Sequence, residues 1–564
     1  MTEVDKADIT YVEDIEDERV SATDGSGKKK VMGTVKLTEG KVVYIPTPTA
    51  DPQGITLLSH VLRAGVLTKH IVDPLNMAIW QKWIVLVVIS IFSTLGLALV
   101  SGFSGLLGFY IPGYEAIGKG YDDITHLMTY PTLLAANIDY KARGIGNLIG
   151  MPLAIGVGRR IVLLASTIVL VIGAILCATQ ENYEWHLWSR CAVGLAAGQS
   201  EALVPMITQE IFFLHERSKA LMGQQAIQVS LTAVWVLFAG EIANAITPQW
   251  WYGLGAALAG AQLVLAFFFL PETKYERSIA SFQEGDSDVD GDAKVGVEVV
   301  CTERPPLDFE RYAARTWKSD LRLWVGKPDW VLVWDVLRQT FELLFFPNVF
   351  WALCLNGLTI GTNIAIGTTY ANILHASPYN WPNKSASYVN CGQIVVALLA
   401  LPLLGHGSDW IAKHMARKNN GLHEPETRII SLIIPIIIGT FTAVLYGQAG
   451  QYPEKYHWFV YVWAVAAYYF CFVGANIVAI TYLLDSYPAR AGPLLVIICA
   501  FRGIISFGTS YGTATFVETH GYDGAFGTFA GLTAALGLCG VPIYLWGKRI
   551  RTFTGRFARG NVVS

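Results

Sequence analysis

The chain has 564 residues, of which 53% are hydrophobic and 15% are charged, and its mean hydropathy is +0.41. This composition excludes a large soluble enzyme and predicts a polytopic membrane protein. The net charge of −3 and the lack of a basic patch give no reason to expect a nucleic-acid partner. The eight cysteines lie almost entirely in apolar segments without CxxC spacing, so no disulfide framework, metal site or cofactor is predicted.

Hydropathy divides the chain into a polar tail and two apolar halves. Residues 1 to about 50 are polar and acidic, and the segment 1–70 is predicted to be a disordered or interfacial cytoplasmic tail. A window of about 20 apolar residues then gives twelve candidate membrane spans, six on each side of a polar central segment. They are 83–107, 124–157, 159–180, 185–211, 220–246, 250–271, 347–372, 387–405, 428–447, 457–484, 491–517 and 523–546. The prediction is an all-α membrane protein with two six-helix halves, residues 71–271 and 347–546.

The segments outside the halves predict the orientation. Basic residues such as Arg159, Arg160 and Arg490 concentrate in alternate loops, which places both termini in the cytoplasm. The central loop, 272–346, ends in the amphipathic string DWVLVWDVLRQTFELLFF, which is suited to the membrane surface, and the tail 547–564 is basic. We expect a multi-pass monomer in the plasma membrane.

The fourth span, WHLWSRCAVGLAAGQSEALVPMITQEI, carries full charges in an otherwise apolar segment. On one helix, Arg190 and Glu201 lie about 20° apart around the axis and about 16 Å apart along it. An ionisable side chain in hydrocarbon costs about 2.5–3.5 kcal/mol, so two on one face predict a bundle interior or a water-filled transport path. Alternatively, Arg190 locks neighbouring helices through their backbone carbonyls and Glu201 snorkels.

The second span is both too long and too polar for one simple helix. Residues 124–157 would extend about 51 Å as a helix, against about 30 Å of hydrocarbon. Asn137, Asp139, Lys141 and Arg143 crowd its centre. Either the helix is broken by a polar turn inside a cavity, or residues 135–143 are an insertion that impairs the protein.

Polar residues form stripes along spans of the second half. Asn356, Asn363 and Tyr370 recur every seven residues in the seventh span, and Tyr469 and Asn476 do the same in the tenth. Each stripe stays on one helix face. The stripes indicate either substrate contacts beside a central cavity or ordinary hydrogen bonds between helices.

These amides and aromatic rings suit an organic cation. A carboxylate at Glu201, amide oxygens including that of Gln393, and aromatic faces would together bind an alkylammonium group. Arg502 in the eleventh span would repel a cation unless it is paired; it could instead set helix packing or respond to protonation of Glu201. Glu241 lies near one end of the fifth span, where either substrate contact or snorkelling is open to it.

Several strings resemble the major facilitator superfamily. MPLAIGVGRR (Met151–Arg160) resembles its G-x-L-A-D-R-x-G-R-R loop between the second and third helices, and LLGHGSDWIAKHMARKN (Leu403–Asn419) resembles the pseudo-repeat of that loop. Arg190 and Gly194 match the family's fourth-helix R-x-x-x-G pattern, which implies a role in proton coupling. YLLDSYPARAGPLL and FRGIISFGTSYGTATFVETHGYDGAFGTFAGL are similar to the fungal subgroup that contains the yeast histidinol and polyamine transporter.

The resemblance also implies roles for the two loops. Arg159 and Arg160 would belong to the family's conformational-loop motif, and Asp409 with Lys413 would retain its charge latch in the pseudo-repeat. At the positions where the family has an acid and a base, this chain has Ile155 and Gly156. The usual charge latch is therefore expected to be absent from the first half.

The resemblance implies secondary active transport by alternating access. The fifth-helix antiporter pattern G-P-x-x-G-G is reduced to GEIANA, residues 240–245, which favours proton-coupled uptake of a small polyamine-like cation. Protonation of Glu201, sensed by Arg190, would change the affinity for the cation. The alternatives are a drug or metabolite exporter of the same fold and a non-transporting sensor or inactive paralogue. No HExxH, GxSxG or P-loop motif suggests an enzyme.

Overall fold

The computed structural model describes residues 35–36, 74–119, 127, 146–274 except 213, 328–396, seven isolated positions from 404 to 418, and 422–554 except 488 and 489. The helices of the first half are α1 Ile79–Ser101, α2 Leu107–Glu115, α3 Gly146–Gly156, α4 Arg159–Ala178, α5 Tyr183–Ala197, α6 Gln199–Ile211, α7 Leu214–Leu237, α8 Ala239–Ala245 and α9 Pro248–Phe269. Those of the central segment and second half are α10 Trp330–Leu344, α11 Pro347–His375, α12 Ile433–Gln451, α13 Phe459–Ser486, α14 Ala491–Leu538 and α15 Gly540–Thr554. The all-α membrane fold is confirmed.

Long apolar helices account for most of the predicted spans. Within the described residues, eight helical segments are long and apolar enough to cross a membrane by length and composition. The fourth span is present as α5 followed directly by α6, with Gly198 between them. The second span is described only at Leu127 and in α3, so the polar segment 135–143 lies outside the described residues.

The eighth span departs from the prediction of a simple apolar helix. The chain approaches it through a 3-10 helix, Asn383–Asn390, and residues 391–396 continue as α-helix. The 3-10 segment packs against α7, α8 and the turn Gly102–Gly105 of the first half. The start of the eighth span is therefore part of the contact between the two halves.

The long helix α14 contains two spans joined at one glycine. Its 48 residues would extend about 72 Å as a straight helix, more than twice the hydrocarbon thickness. Gly521 adopts φ 72° and ψ 171°, a conformation that side chains with a Cβ rarely take. A Cβ there would also lie 2.5 Å from Gln451 Oε1, which accepts a hydrogen bond from the Tyr522 backbone at 3.1 Å. The reversal of the chain therefore depends on glycine at this position.

Loops fall at two ends of the bundle, which we name by one residue each. The Arg159 end carries Gly158, the segment 270–274 and α10. The Trp381 end carries the connections 179–182, 246–247, 376–382 and 452–458. The strands β1 Val35–Lys36 and β2 Leu422–His423 form a two-residue antiparallel pair.

The two halves pack directly against each other near the Arg159 end. Leu495, Val496 and Cys499 of α14 belong to the apolar core of the first half. A Cβ on Gly492 would lie 2.9 Å from the Ile155 side chain, so α3 and α14 approach closely. The position where the family has an acid is thus occupied by an apolar contact, because Ile155 packs between the halves.

The central segment ends in the helix predicted from its amphipathic pattern. Asp329 caps α10 by accepting a hydrogen bond from the Leu332 backbone at 3.1 Å. The helix packs against both α3 and α14, and Arg490 contacts Glu342 at 3.4 Å. Its outer face is apolar, with Trp330, Val331 and Trp334 at least 64% exposed. The helix therefore spans the junction of the two halves at the Arg159 end.

Candidate functional site

An ion pair joins the halves about midway across the bundle. Glu201 of α6 contacts the guanidinium of Arg502 of α14. Glu201 lies ten residues before the end of α6, about 15 Å from the Arg159 end of the helix and so about half-way through the hydrocarbon. The Arg502 side chain is 6% exposed and that of Glu201 is 27% exposed. The carboxylate therefore retains access to solvent, whereas the cation does not.

Amide groups extend the ion pair into the second half. Arg502 Nη1 donates to Asn476 Oδ1 at 3.2 Å, and Asn356 Nδ2 donates to the same oxygen at 2.9 Å. The Asn356 oxygen Oδ1 is buried and has no hydrogen-bond partner among the described residues. A buried carbonyl without a donor is costly, so this atom is suited to accept a hydrogen bond from a ligand. The predicted substrate residues Asn356 and Asn476 thus lie together beside Glu201.

Arg190 lies in a separate buried cluster of the first half. Its guanidinium donates to the backbone oxygens of Leu127 at 2.7 Å and Val100 at 2.8 Å, and to the Tyr252 hydroxyl at 2.7 Å. It also stacks over the Phe103 ring at 4.5 Å. These contacts match the alternative in which Arg190 locks neighbouring helices through their carbonyls.

Arg190 and Glu201 therefore belong to different clusters of polar contacts. Arg502, and not Arg190, is the cation in contact with Glu201. That Arg190 senses protonation of Glu201 stays a prediction. Helical periodicity relates residues on one helix, but the partner of Glu201 comes from the opposite half.

The remaining predicted substrate residues divide into two groups. Tyr370 is buried, and its hydroxyl accepts a hydrogen bond from Asn390 Nδ2 at 3.3 Å. Asn363 and Gln393 are half-buried. Tyr469 packs in an apolar cluster with Leu404 and Val473, flanked by Ala226 and Val229 of α7. Tyr469 therefore lies where the fifth span meets the second half, and the structure does not join it to Asn476 by a hydrogen bond.

The arginines of the first loop are tied to acids of their own half. Arg159 Nη2 lies 2.8 Å from Glu210 Oε1, and the Arg159 backbone donates to Glu272 Oε1 at 2.9 Å. Arg160 donates to the Phe267 carbonyl at 2.6 Å. The predicted absence of a family-type latch at Ile155 thus coincides with a network built from Glu210 and Glu272. The pseudo-repeat residues Asp409 and Lys413 lie outside the described residues.

Sequence reasoning missed Glu210, Glu272 and Tyr252. Glu272 lies in the string PETK, residues 271–274, which follows α9. A Cβ on Gly158 would lie 2.6 Å from the Glu272 carboxylate, so Glu272 approaches the chain closely at this glycine. Within the described part of the chain, no cluster of three or more His, Cys, Asp or Glu side chains could hold a metal ion.

A second polar contact crosses between the halves at the Trp381 end. The Tyr388 hydroxyl donates to Glu241 Oε1, joining the 3-10 segment Asn383–Asn390 to α8. Trp381 is nearby, and together with Pro382, Ser385 and Tyr388 it lines a shallow cavity of about 250 Å³. Glu241 therefore lies away from the central ion pair, and its carboxylate contacts the second half of the protein as well as solvent.

Comparison with known proteins decides the family. The model of the Major Facilitator Superfamily matches residues 94–493. The chain belongs to the major facilitator superfamily. It is 23% identical to an uncharacterised MFS-type transporter of Schizosaccharomyces pombe, over 93% of this chain and 90% of that one. It is 22% identical to Protein HOL1 of Saccharomyces cerevisiae, over 93% of this chain and 92% of that one.

A solved structure of another transporter shares the fold of this chain. The solved structure of the proton:xylose symporter XylE superposes with a TM-score of 0.55 at 13% identity, covering 83% of this chain and 96% of that chain. At this identity the likeness concerns the fold alone. The chain is therefore an integral, multi-pass transport protein of the superfamily, with fungal transporters among its relatives.

Proposed function

We propose that this protein is a proton-coupled transporter that takes up a small organic cation, of polyamine-like chemistry, by alternating access. The observation that carries the proposal is the pair of Glu201 and Arg502 across the halves, beside the unpaired Asn356 Oδ1. An ammonium group needs a carboxylate for its charge and carbonyl oxygens for its N–H donors. Glu201 and Asn356 supply one of each.

In the described state Arg502 already neutralises Glu201. A cation that reaches the carboxylate must displace the guanidinium, and a proton on Glu201 weakens the same ion pair. Either event removes a charge contact between the halves, which allows them to move relative to each other. The charge state of Glu201 would thus control both binding and reorientation. Arg190 would take part by holding the helices of the first half in place.

The test uses purified protein in proteoliposomes and labelled spermidine. Glu201→Gln should abolish accumulation driven by an inward proton gradient, whereas Ser506→Ala, one turn along α14 from Arg502, should retain it. Counterflow of labelled against unlabelled spermidine, which needs no proton gradient, separates the two roles of Glu201. Loss of counterflow as well as accumulation means that Glu201 binds the cation, and equal loss of both activities in Ser506→Ala contradicts the assignment.

Export by exchange is the second candidate, and the same ion pair favours it. A proton and a cation cannot both neutralise one carboxylate, so coupling through Glu201 alone exchanges one for the other. Under this mechanism external acid drives the cation outward and inhibits uptake. Uptake by symport predicts the opposite, a rise in uptake at acidic external pH. Initial rates at two external pH values, with the membrane potential clamped, therefore distinguish the two functions.

A further inference from the structure

The contact between Glu241 and Tyr388 lies apart from the central ion pair and pairs a carboxylate with a neutral hydroxyl. Glu241 belongs to α8 of the first half, whereas Tyr388 belongs to the 3-10 segment that leads into the eighth span. Among the described side chains, Glu241 has no cationic partner and its carboxylate is held by the Tyr388 hydroxyl. The Tyr388 hydroxyl brings no positive charge to Glu241, unlike the arginine that is paired with Glu201.

The surroundings of this carboxylate are aromatic. Tyr388 is 42% exposed and lines the shallow cavity together with Trp381. Trp381 is supported from behind by Trp458, with ring centroids 5.4 Å apart. The cavity volume of about 250 Å³ is small for a drug-sized ligand but adequate for one ammonium group and the carbons next to it. Aromatic faces beside a carboxylate are the surroundings that bind alkylammonium groups.

Polar side chains lead from this cavity towards the middle of the bundle. Asn390 follows Tyr388 by two residues, is buried, and donates to the hydroxyl of Tyr370 at 3.3 Å. Gln393 lies one helical turn further along the same segment. Tyr370 belongs to the stripe of α11 that also contains Asn356, which contacts Asn476 beside the central ion pair. The cavity therefore lies at the Trp381 end of a series of polar side chains.

We propose that Glu241, Tyr388 and Trp381 form a second, peripheral site for an organic cation, in which the ammonium group replaces the Tyr388 hydroxyl on the Glu241 carboxylate. The ligand class rests on the proposed function. Because Glu241 and Tyr388 belong to different halves, occupation of this site exchanges a contact between the halves for a contact with the ligand. The peripheral site would thus attract the cation and loosen the Trp381 end before the cation reaches Glu201.

The test measures cation attraction without measuring transport. Ser385, which lines the cavity, is changed to cysteine in a background where Cys301, Cys391 and Cys539 are serine, and the protein is reconstituted in nanodiscs. The rates of labelling by a cationic and by an anionic methanethiosulfonate of similar size are compared. We expect Glu241→Gln to lower the cationic-to-anionic rate ratio about fivefold, since a single fixed charge raises the local concentration of counter-ions. Glu454→Gln, at the same end of the bundle, is the matched control and should leave the ratio unchanged.

Protection by tetraethylammonium, whose charge does not depend on pH, tests binding directly. It should slow labelling of the cysteine at position 385, and Tyr388→Phe should lower the half-protecting concentration about threefold, because the ring remains while the competing hydroxyl is removed. Glu241→Gln should abolish protection, whereas Glu201→Gln should retain it. Protection that survives Glu241→Gln, or a rate ratio equal in Glu241→Gln and its parent, overturns the peripheral site. A transport defect in Glu201→Gln bears on the proposed function alone.

Discussion

The ion pair between Glu201 and Arg502 predicts an asymmetric response to neutralising each partner. Breaking a buried pair by removing one partner costs about 3–5 kcal/mol, because an uncompensated charge remains. Glu201→Gln leaves Arg502, whose side chain is 6% exposed, so we expect about 3 kcal/mol. Arg502→Gln leaves Glu201, 27% exposed and able to take up a proton, so we expect about 2 kcal/mol. The double variant, with two neutral amides, should recover most of the loss.

Thermal unfolding in detergent micelles, followed by size-exclusion chromatography, measures this cycle. For a half of about 200 residues each kcal/mol corresponds to about 2–4 °C, so Glu201→Gln should lower the Tm by about 6–12 °C and Arg502→Gln by about 4–8 °C. The double variant should be more stable than Glu201→Gln. Tm shifts that add in the double variant would refute the pairing, because additivity shows that the two side chains do not interact.

Three further predictions concern contacts away from the central pair. Arg551→Ala should lower the free energy of unfolding by about 3–5 kcal/mol, because it leaves the buried Glu426 carboxylate without its partner at 2.7 Å. Lys548→Ala, at the exposed pair with Glu424, should lower it by less than about 1 kcal/mol. Similar Tm shifts in the two variants would show that burial is not decisive. Tyr252→Phe removes one of the hydrogen bonds of Arg190 and should lower the free energy of unfolding by about 1 kcal/mol. Spermidine counterflow should be retained. Loss of counterflow in a normally folded variant would give Tyr252 a role beyond packing. Gly521→Ala should destabilise the protein by more than about 1 kcal/mol, because φ is 72° there and a non-glycine residue in such a conformation is strained. Gly527→Ala is the control, since an added Cβ there meets nothing within 4 Å. An equal Tm in the two variants would contradict the predicted strain.

The fold could be predicted from the sequence because bilayer thickness imposes a length on apolar segments. Spans such as 159–180 and 457–484 differ from the observed helices Arg159–Ala178 and Phe459–Ser486 by about two residues, as expected from pattern reasoning. The eighth span was predicted less well. Asn383–Asn390 is a 3-10 segment, and it packs against the other half of the protein. Hydropathy carries no information on contacts of this kind.

The candidate site could be predicted only in part. Periodicity grouped Asn356 with Asn363 and Tyr370 on one face of α11, where Asn356 is buried. Buried charge directed attention to the fourth span. The partners did not follow from the same reasoning, because Glu201 pairs with Arg502 and Asn356 with Asn476 across elements that are distant in sequence. Arg190 illustrates the limit, since the same residue type satisfies either a carboxylate or several backbone carbonyls, and only packing decides between them.

Proton movement recorded when spermidine is added to proteoliposomes tests most directly whether Glu201 couples the cation to the proton. With a pH indicator inside the vesicles and the membrane potential clamped, spermidine added outside should change the internal pH when the vesicles contain the parent protein or Ser506→Ala. Glu201→Gln should give no pH change at the same amount of folded protein. A pH change of equal size in Glu201→Gln would show that the coupled proton is carried elsewhere and would contradict the account.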